Sequence, residues 1–234
     1  MLTRRRIFAV VLATFAISIA LLASCSSNKQ SAAPLPDAAT LLKESADATK
    51  TLTSVHLDLT VNGTIPHLPV KTLTGDLTNV PAVAAKGHTK VTVGGDDVEA
   101  DFVVADGNLY AALDPNQWTP FGQASNIYDV SVILNPDTGL ANVLSNFTNP
   151  KAEARETING IQTIRITGQV SADAANKLAP NLATGGSVPG TVWIREDANH
   201  DLVQAKLEPS PGNSVQMTLS NWNQPVTVTK PPGV

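Results

Sequence analysis

A single cysteine, Cys25, stands in a chain of 234 residues, so no internal disulfide is available and its chemistry must be of another kind. It follows Leu22-Ala23-Ser24. The four residues have the form Leu-small-small-Cys of the bacterial lipobox, in which the thiol is diacylated and the chain is cut just before it. Arg4, Arg5 and Arg6 stand upstream, and Ile7 to Ala23 carries no charge. A basic start, an apolar run and a small-residue end are the parts of a secretory signal peptide. Two plainer readings compete: a single-pass anchor, since about 17 apolar residues is the lower limit for spanning a bilayer, and an incidental thiol. The only cysteine falls at the one place the motif requires, which favours lipidation. Two or more acyl chains anchor a protein stably where one does so only marginally.

No second chemistry emerges downstream. His56, His67, His88 and His200 are scattered, with no acid or histidine at helical ligand spacing. Asp96-Asp97 and Glu196-Asp197 read as solvated turn acids rather than metal ligands. Gly212-Asn213-Ser214-Val215 begins like a nucleophile elbow, but Gln216 stands where the second glycine is needed. No Gly-rich loop joins a strand to a helix to cradle phosphate. Asn62-Gly63-Thr64 and Asn146-Phe147-Thr148 match the glycosylation sequon, which loses weight beside a bacterial lipobox. The expectation is a protein that is not an enzyme and uses no metal or cofactor.

The elements that would position any site follow from charge and period. The chain has 16 basic and 20 acidic residues, and losing Arg4, Arg5 and Arg6 with the signal deepens the acidic excess. Such a surface argues against nucleic acid and against electrostatic adhesion to anionic lipid. Ser26 to Pro36 is small, polar and proline-bearing, as a linker should be. Fully stretched it reaches at most roughly 36–40 Å. The expected division is therefore a signal peptide at 1–24, a flexible linker at 25–36 and a single domain at 37–234. The protein would be exported and lipid-anchored on the outer side of the plasma membrane, with outer envelope layers as a further destination.

Within the domain, Asp37 can cap a helix in which Leu41, Leu42, Ala46, Ala48 and Leu52 recur at three- and four-residue spacing. The period then becomes two. Val55, Leu57, Leu59 and Val61 alternate with polar residues, as do Leu73-Gly75-Leu77, Val91-Val93 and Val98-Ala100-Phe102-Val104. "NLYAALD" supplies another strand. Gly94-Gly95-Asp96-Asp97, Asp106-Gly107-Asn108 and Asn159-Gly160 read as hairpin turns. "DVSVIL" predicts a helical turn or two, and "LANVLSNF" a second piece with Leu140, Val143, Leu144 and Phe147 on one face. Strands resume at "EARETINGIQTIRITGQV", Ser171 caps "SADAANKLA", and "TVWIRE", "LVQAKLE", "SVQMTLSNW" and "PVTVTK" close the chain as strands. The fold class is α+β, with a long antiparallel sheet polar on one face and helices on the other. Large aromatics are few: Phe 5, Tyr 2 and Trp 3, with Phe8 and Phe15 inside the signal. A curved sheet short of bulky side chains can leave an apolar cavity; an ordinary aliphatic core is the alternative.

The stretches "LTVNG" (59–63), "KTLTGDLT" (71–78), "ADFVVADGNLYA" (100–111), "PNQW" (115–118) and "LNPDTGLANVL" (134–144) carry a resemblance. It continues through "TING" (157–160), "TIRI" (163–166), "TVWI" (191–194), "GNSVQMTLS" (212–220) and "VTKPP" (228–232). In order and over almost all of the domain, these resemble the mycobacterial lipoprotein family of LppX, LprA, LprF and LprG. The loop "NLATGGSVPG" (181–190) matches least, and nothing is carried over there. The resemblance implies a half-barrel, a strongly bent antiparallel sheet with helices on its concave face, enclosing an apolar cavity for acyl chains. It implies binding of triacylated glycolipids (phosphatidylinositol mannosides, lipomannan, lipoarabinomannan) and of triacylglycerol, with transfer across the envelope. A major-facilitator exporter and host Toll-like receptor 2 are the implied protein partners. Strand alternation then nominates the lining: Leu57, Leu59, Val61, Val91, Val93, Phe102 and Val104 from the early strands. Leu140, Val143 and Leu144 come from the middle helix, and Ile164, Ile166, Val192, Ile194, Val215, Met217 and Leu219 from later strands. Other classes remain open: a surface scaffold that supports an envelope assembly, or an envelope hydrolase, which the missing nucleophile–base pair disfavours.

Overall fold

The computed structural model describes residues 33–197 and 199–234. The signal peptide and Cys25 lie outside them. The first helix, α1 (Ala38–Thr49), starts where the sequence supplies a cap: the Asp37 carboxylate accepts from the Thr40 backbone N–H at 2.8 Å and its hydroxyl at 2.7 Å. Leu41, Leu42 and Ala46 give it an inward apolar face.

Among the described residues eleven strands follow in one sheet. A meander runs through β1 (Ser54–Asn62), β2 (Val70–Thr78), β3 (Ala84–Val93), β4 (Asp96–Ala105), β5 (Asn108–Ala112) and β6 (Trp118–Gln123). A 3-10 segment at Val130–Leu134 and the short helix α2 (Leu140–Ser145) lead to β7 (Phe147–Ile158) and β8 (Ile161–Val170). After α3 (Ala172–Leu178) come β9 (Val188–Arg195), β10 (Leu202–Ser210) and β11 (Asn213–Ser220). The spatial order is β6-β5-β4-β3-β2-β1-β11-β10-β9-β8-β7, each neighbouring pair antiparallel, so the two halves of the chain meet at β1 and β11 and the sheet stays open between β6 and β7. Two-residue turns with positive φ at both positions join β3–β4 (Gly94, Gly95), β4–β5 (Asp106, Gly107) and β7–β8 (Asn159, Gly160).

Three local expectations are corrected, and one strand is added that the sequence did not signal. Phe147 does not continue α2; it opens β7, because Asn146 closes the helix and donates its amide to the Asn142 carbonyl at 2.8 Å. The strand β6 had no alternating signal, since Pro120 and Gly122 interrupt it and a register shift falls between its two halves. "PVTVTK" is not a strand. Pro225, Pro231 and Pro232 offer no N–H for a ladder, and the tail instead crosses the outer face as an extended strap. Ser54 Oγ donates to the Gln224 carbonyl at 2.6 Å, Lys86 Nζ donates to Thr227 at 2.9 Å, and Val228 and Val234 pack on Val103, Ala105 and Tyr110. Finally, Glu196 and Asp197 are not merely solvated: they pair with Arg155 at 2.8 Å and Arg195 at 3.0 Å.

Candidate functional site: the apolar inner face

Register shows which side chains share a face. Leu57, Leu59 and Val61 of β1 stand opposite Leu219, Met217 and Val215 of β11. On the other flank Leu57 stands opposite Gly75, Gly75 opposite Gly87, and Gly87 opposite Phe102. Ala205 of β10 links Met217 to Val192, Val192 faces Ile166, and Ile194 faces Ile164. The alternation that nominated these positions therefore puts every sheet residue of the set on one face. Leu57, Val61, Val104, Ile164, Ile166, Val192, Ile194, Met217 and Leu219 are buried in one continuous cluster with Leu140, Val143 and Leu144 of α2. Leu59, Phe102 and Val215 pack against it half-buried.

The two valines of β3 differ. Val91, opposite Val98, is half-buried and stands apart from the main cluster. Val93 does not line an interior. It pairs with Asp96 at the Gly94-Gly95 turn and is 61% exposed, because β3 ends at that turn, among exposed residues.

Two cross-strand glycine pairs thin the inner face at matching places. Gly75 and Gly87 join β2 to β3, and the Phe102 ring lies 3.0 Å from where a Gly87 Cβ would stand. Gly168 and Gly190 join β8 to β9, and the Phe147 ring lies 3.0 Å and 2.8 Å from their missing Cβ positions. Without Cβ atoms the strands can approach and bend, and a phenyl ring from the next strand covers each gap. α1 packs on α2 and against β7 and β9 above this surface. A pocket of about 210 Å³ opens there, with Leu42, Lys43, Leu144 and Phe147 in its wall. That is below the roughly 300–1,000 Å³ of ordinary ligand sites, so this pocket alone does not take a multi-chain lipid.

Several polar side chains point outward or are hydrogen-bonded. On the outer face His56 Nδ1 lies 2.7 Å from Asp76 and His88 Nδ1 lies 3.0 Å from Asp101, cross-strand partners that no spacing within a strand could reveal. His200 Nε2 reaches Glu44 of α1 at 3.3 Å. Beside the inner face, the Tyr128 hydroxyl donates to the Leu178 carbonyl at 2.8 Å. Burial, with the Asp129 charge second, pushes its pKa far up, so it stays a neutral donor. Among the described residues no group of three or more His, Cys, Asp or Glu could hold a metal ion, and no helix is long and apolar enough to cross a membrane.

Comparison with known proteins agrees with this architecture. The family model described as LppX_LprAFG lipoprotein matches residues 37–228. A protein of Mycolicibacterium smegmatis named lipoarabinomannan carrier protein LprG is 58% identical over 236 residues, covering 99% of each chain. Its namesake in Mycobacterium leprae is 56% identical over 229 residues, 97% of this chain and 96% of the other. The crystal structure of LprF from Mycobacterium bovis superposes with a TM-score of 0.78 at 33% identity, covering 86% of this chain and 99% of that one. LppX of Mycobacterium tuberculosis gives 0.64 at 33% identity, over 82% and 97%.

Proposed function

The chain belongs to the LppX_LprAFG lipoprotein family, and from that premise we propose that it is a lipid-anchored carrier of acylated glycolipids. It binds the acyl chains of lipoarabinomannan, lipomannan and phosphatidylinositol mannosides, and of triacylglycerol, and assists their transfer across the cell envelope. The observation that carries the reading is the largely apolar inner face from β4 through β8, whose buried side chains form one cluster with those of α1 and α2. The names of the relatives point the same way, since those relatives are lipoarabinomannan carriers.

The energetics explain why such a face is needed. Each buried methylene contributes about 0.8 kcal/mol. Drawing a three-chain lipid from a bilayer therefore costs tens of kcal/mol unless apolar protein surface replaces the lost surroundings. Transfer works best when bilayer and carrier hold the chains nearly equally, so tight binding is not required. Sugar head groups stay outside, which fits an inner face with no sugar-binding polar cluster. The proposal extends to acylated Cys25 as the anchor, to a major-facilitator exporter as the source of cargo, and to Toll-like receptor 2 as a host receptor for the acylated form. All three rest on the resemblance and the lipobox.

Mass spectrometry of lipids copurified from the native envelope, with transfer of labelled glycolipid between vesicles, tests the reading. A carrier brings acylated glycolipid with it and accelerates exchange. A protein that copurifies with lipid yet leaves exchange at the spontaneous rate is a scaffold, and the carrier reading fails.

A further inference from the structure

Seven polar residues are buried among the described residues: Ser45, Thr49, Ser54, Thr78, Thr163, Gln204 and Ser214. Five belong to the sheet, and each is hydrogen-bonded. Ser54 donates to the Gln224 carbonyl, Thr78 to Val80 and Thr163 to Glu156, while Gln204 accepts from Thr218 and Ser214 from Asn62. The remaining two are Ser45 and Thr49, at 0% and 2% exposure, and neither hydroxyl has a partner. They are one turn apart on α1, on the same inward side as Leu41, Leu42 and Ala46.

Helical hydroxyls usually escape this cost by donating back to the carbonyl four residues earlier. Ser145 of α2 does so, reaching Ala141 at 2.9 Å. Ser45 and Thr49 do not. An unpaired buried hydroxyl is unfavourable, and two aligned on one helix face set into an aliphatic cluster mark a place where an acceptor belongs. The acceptor must itself tolerate an apolar interior, which excludes a charged phosphate or carboxylate. It must also occur in pairs a few ångströms apart. The carbonyl oxygens of neighbouring ester-linked acyl chains meet both demands.

We propose that Ser45 and Thr49 form an internal subsite that donates hydrogen bonds to the ester carbonyls of the bound lipid. The inference rests on the carrier reading. The subsite fixes how deep the cargo sits: chains lie along the sheet, the ester level stops at α1, and everything beyond the glycerol stays outside. It selects ester-linked over ether-linked lipids of equal chain length.

The test compares the full chain with its Ser45→Ala/Thr49→Val double variant against two probes, a triacylglycerol and the trialkyl ether of the same chain length. The wild type is expected to bind the ester on the order of tenfold more tightly than the ether, the worth of about one net hydrogen bond. The double variant loses that preference while its ether affinity stays unchanged. Equal loss for both probes, or no change with a raised melting temperature, overturns the subsite and leaves two hydroxyls of structural origin. A wild type that binds both probes equally overturns the subsite alone, whereas one that binds neither overturns the carrier reading with it.

Discussion

Gly75 of β2 and Gly87 of β3 stand directly opposite each other, and a methyl group on either would run into the backbone of the facing strand. A Cβ at Gly87 would come within 2.7 Å of the Gly75 Cα as well as striking the Thr74 carbonyl. Gly87→Ala is therefore expected to destabilise by about 1–3 kcal/mol, the usual cost of overpacking. Gly185→Ala is the control: nothing lies within 4 Å of its Cβ position, and its melting temperature should match the parent's. Thermal unfolding of the two variants side by side decides the point; equal melting temperatures would show that the strands have room to part.

Val91→Trp separates a pocket from a packed core. Val91 is half-buried on the inner face and outside the main cluster, so an indole there should leave the melting temperature nearly unchanged while glycolipid transfer falls. Val93→Trp, at a position 61% exposed, should alter neither. If Val91→Trp unfolds the protein and transfer falls only in proportion, the position is core.

Asp37 provides the pH dependence. Hydrogen bonds from the Thr40 hydroxyl, then from its backbone N–H, hold the Asp37 carboxyl below its ordinary value of 3.8. A depressed folded-state pKa means that its stabilisation is complete above 3.8 and is lost as pH falls through the lowered value. Asp37→Ala should lower the melting temperature modestly at neutral pH, and the gap should close in strong acid. Melting curves from neutral to acid pH check this, and a gap constant with pH would deny the cap.

Cys25→Ser addresses the anchor. It should abolish acylation and the cut before residue 25, while far- and near-ultraviolet circular dichroism of the domain stays unchanged. An unmodified mature N-terminus in the wild type, found by intact mass, would show that the lipobox is silent.

Strand alternation is a strictly local code, and where structure depends on local alternation the sequence was transparent. Leu57, Leu59 and Val61 announce a half-buried strand without reference to anything else, and their register with Leu219, Met217 and Val215 follows the same parity. Contacts between strands left no local trace. His56 meets Asp76 across the β1–β2 pair, and Arg155 of β7 reaches Glu196, just past β9, over the intervening β8. Phe147 looked helical because its spacing from Val143 and Leu144 is helical, yet tertiary demand for a ring over Gly168 and Gly190 prevailed. Ser45 and Thr49 were invisible for a different reason. Hydroxyls on a helix are ordinary in sequence, and only the contrast with Ser145 and the five satisfied sheet residues sets them apart.

The unpaired margin between β6 and β7 has a mechanical meaning. A closed barrel has its girth set by strand number and stagger, so it can widen only by breaking hydrogen bonds. Here the ladder ends at Pro120 and the register shift of β6 on one side, and at the Lys151, Glu153 and Arg155 stretch of β7 on the other. Both margins carry devices that discourage docking of a foreign strand. The width of the sheet is thus not fixed by closure of its own ladder, as the girth of a hoop is fixed by its staves.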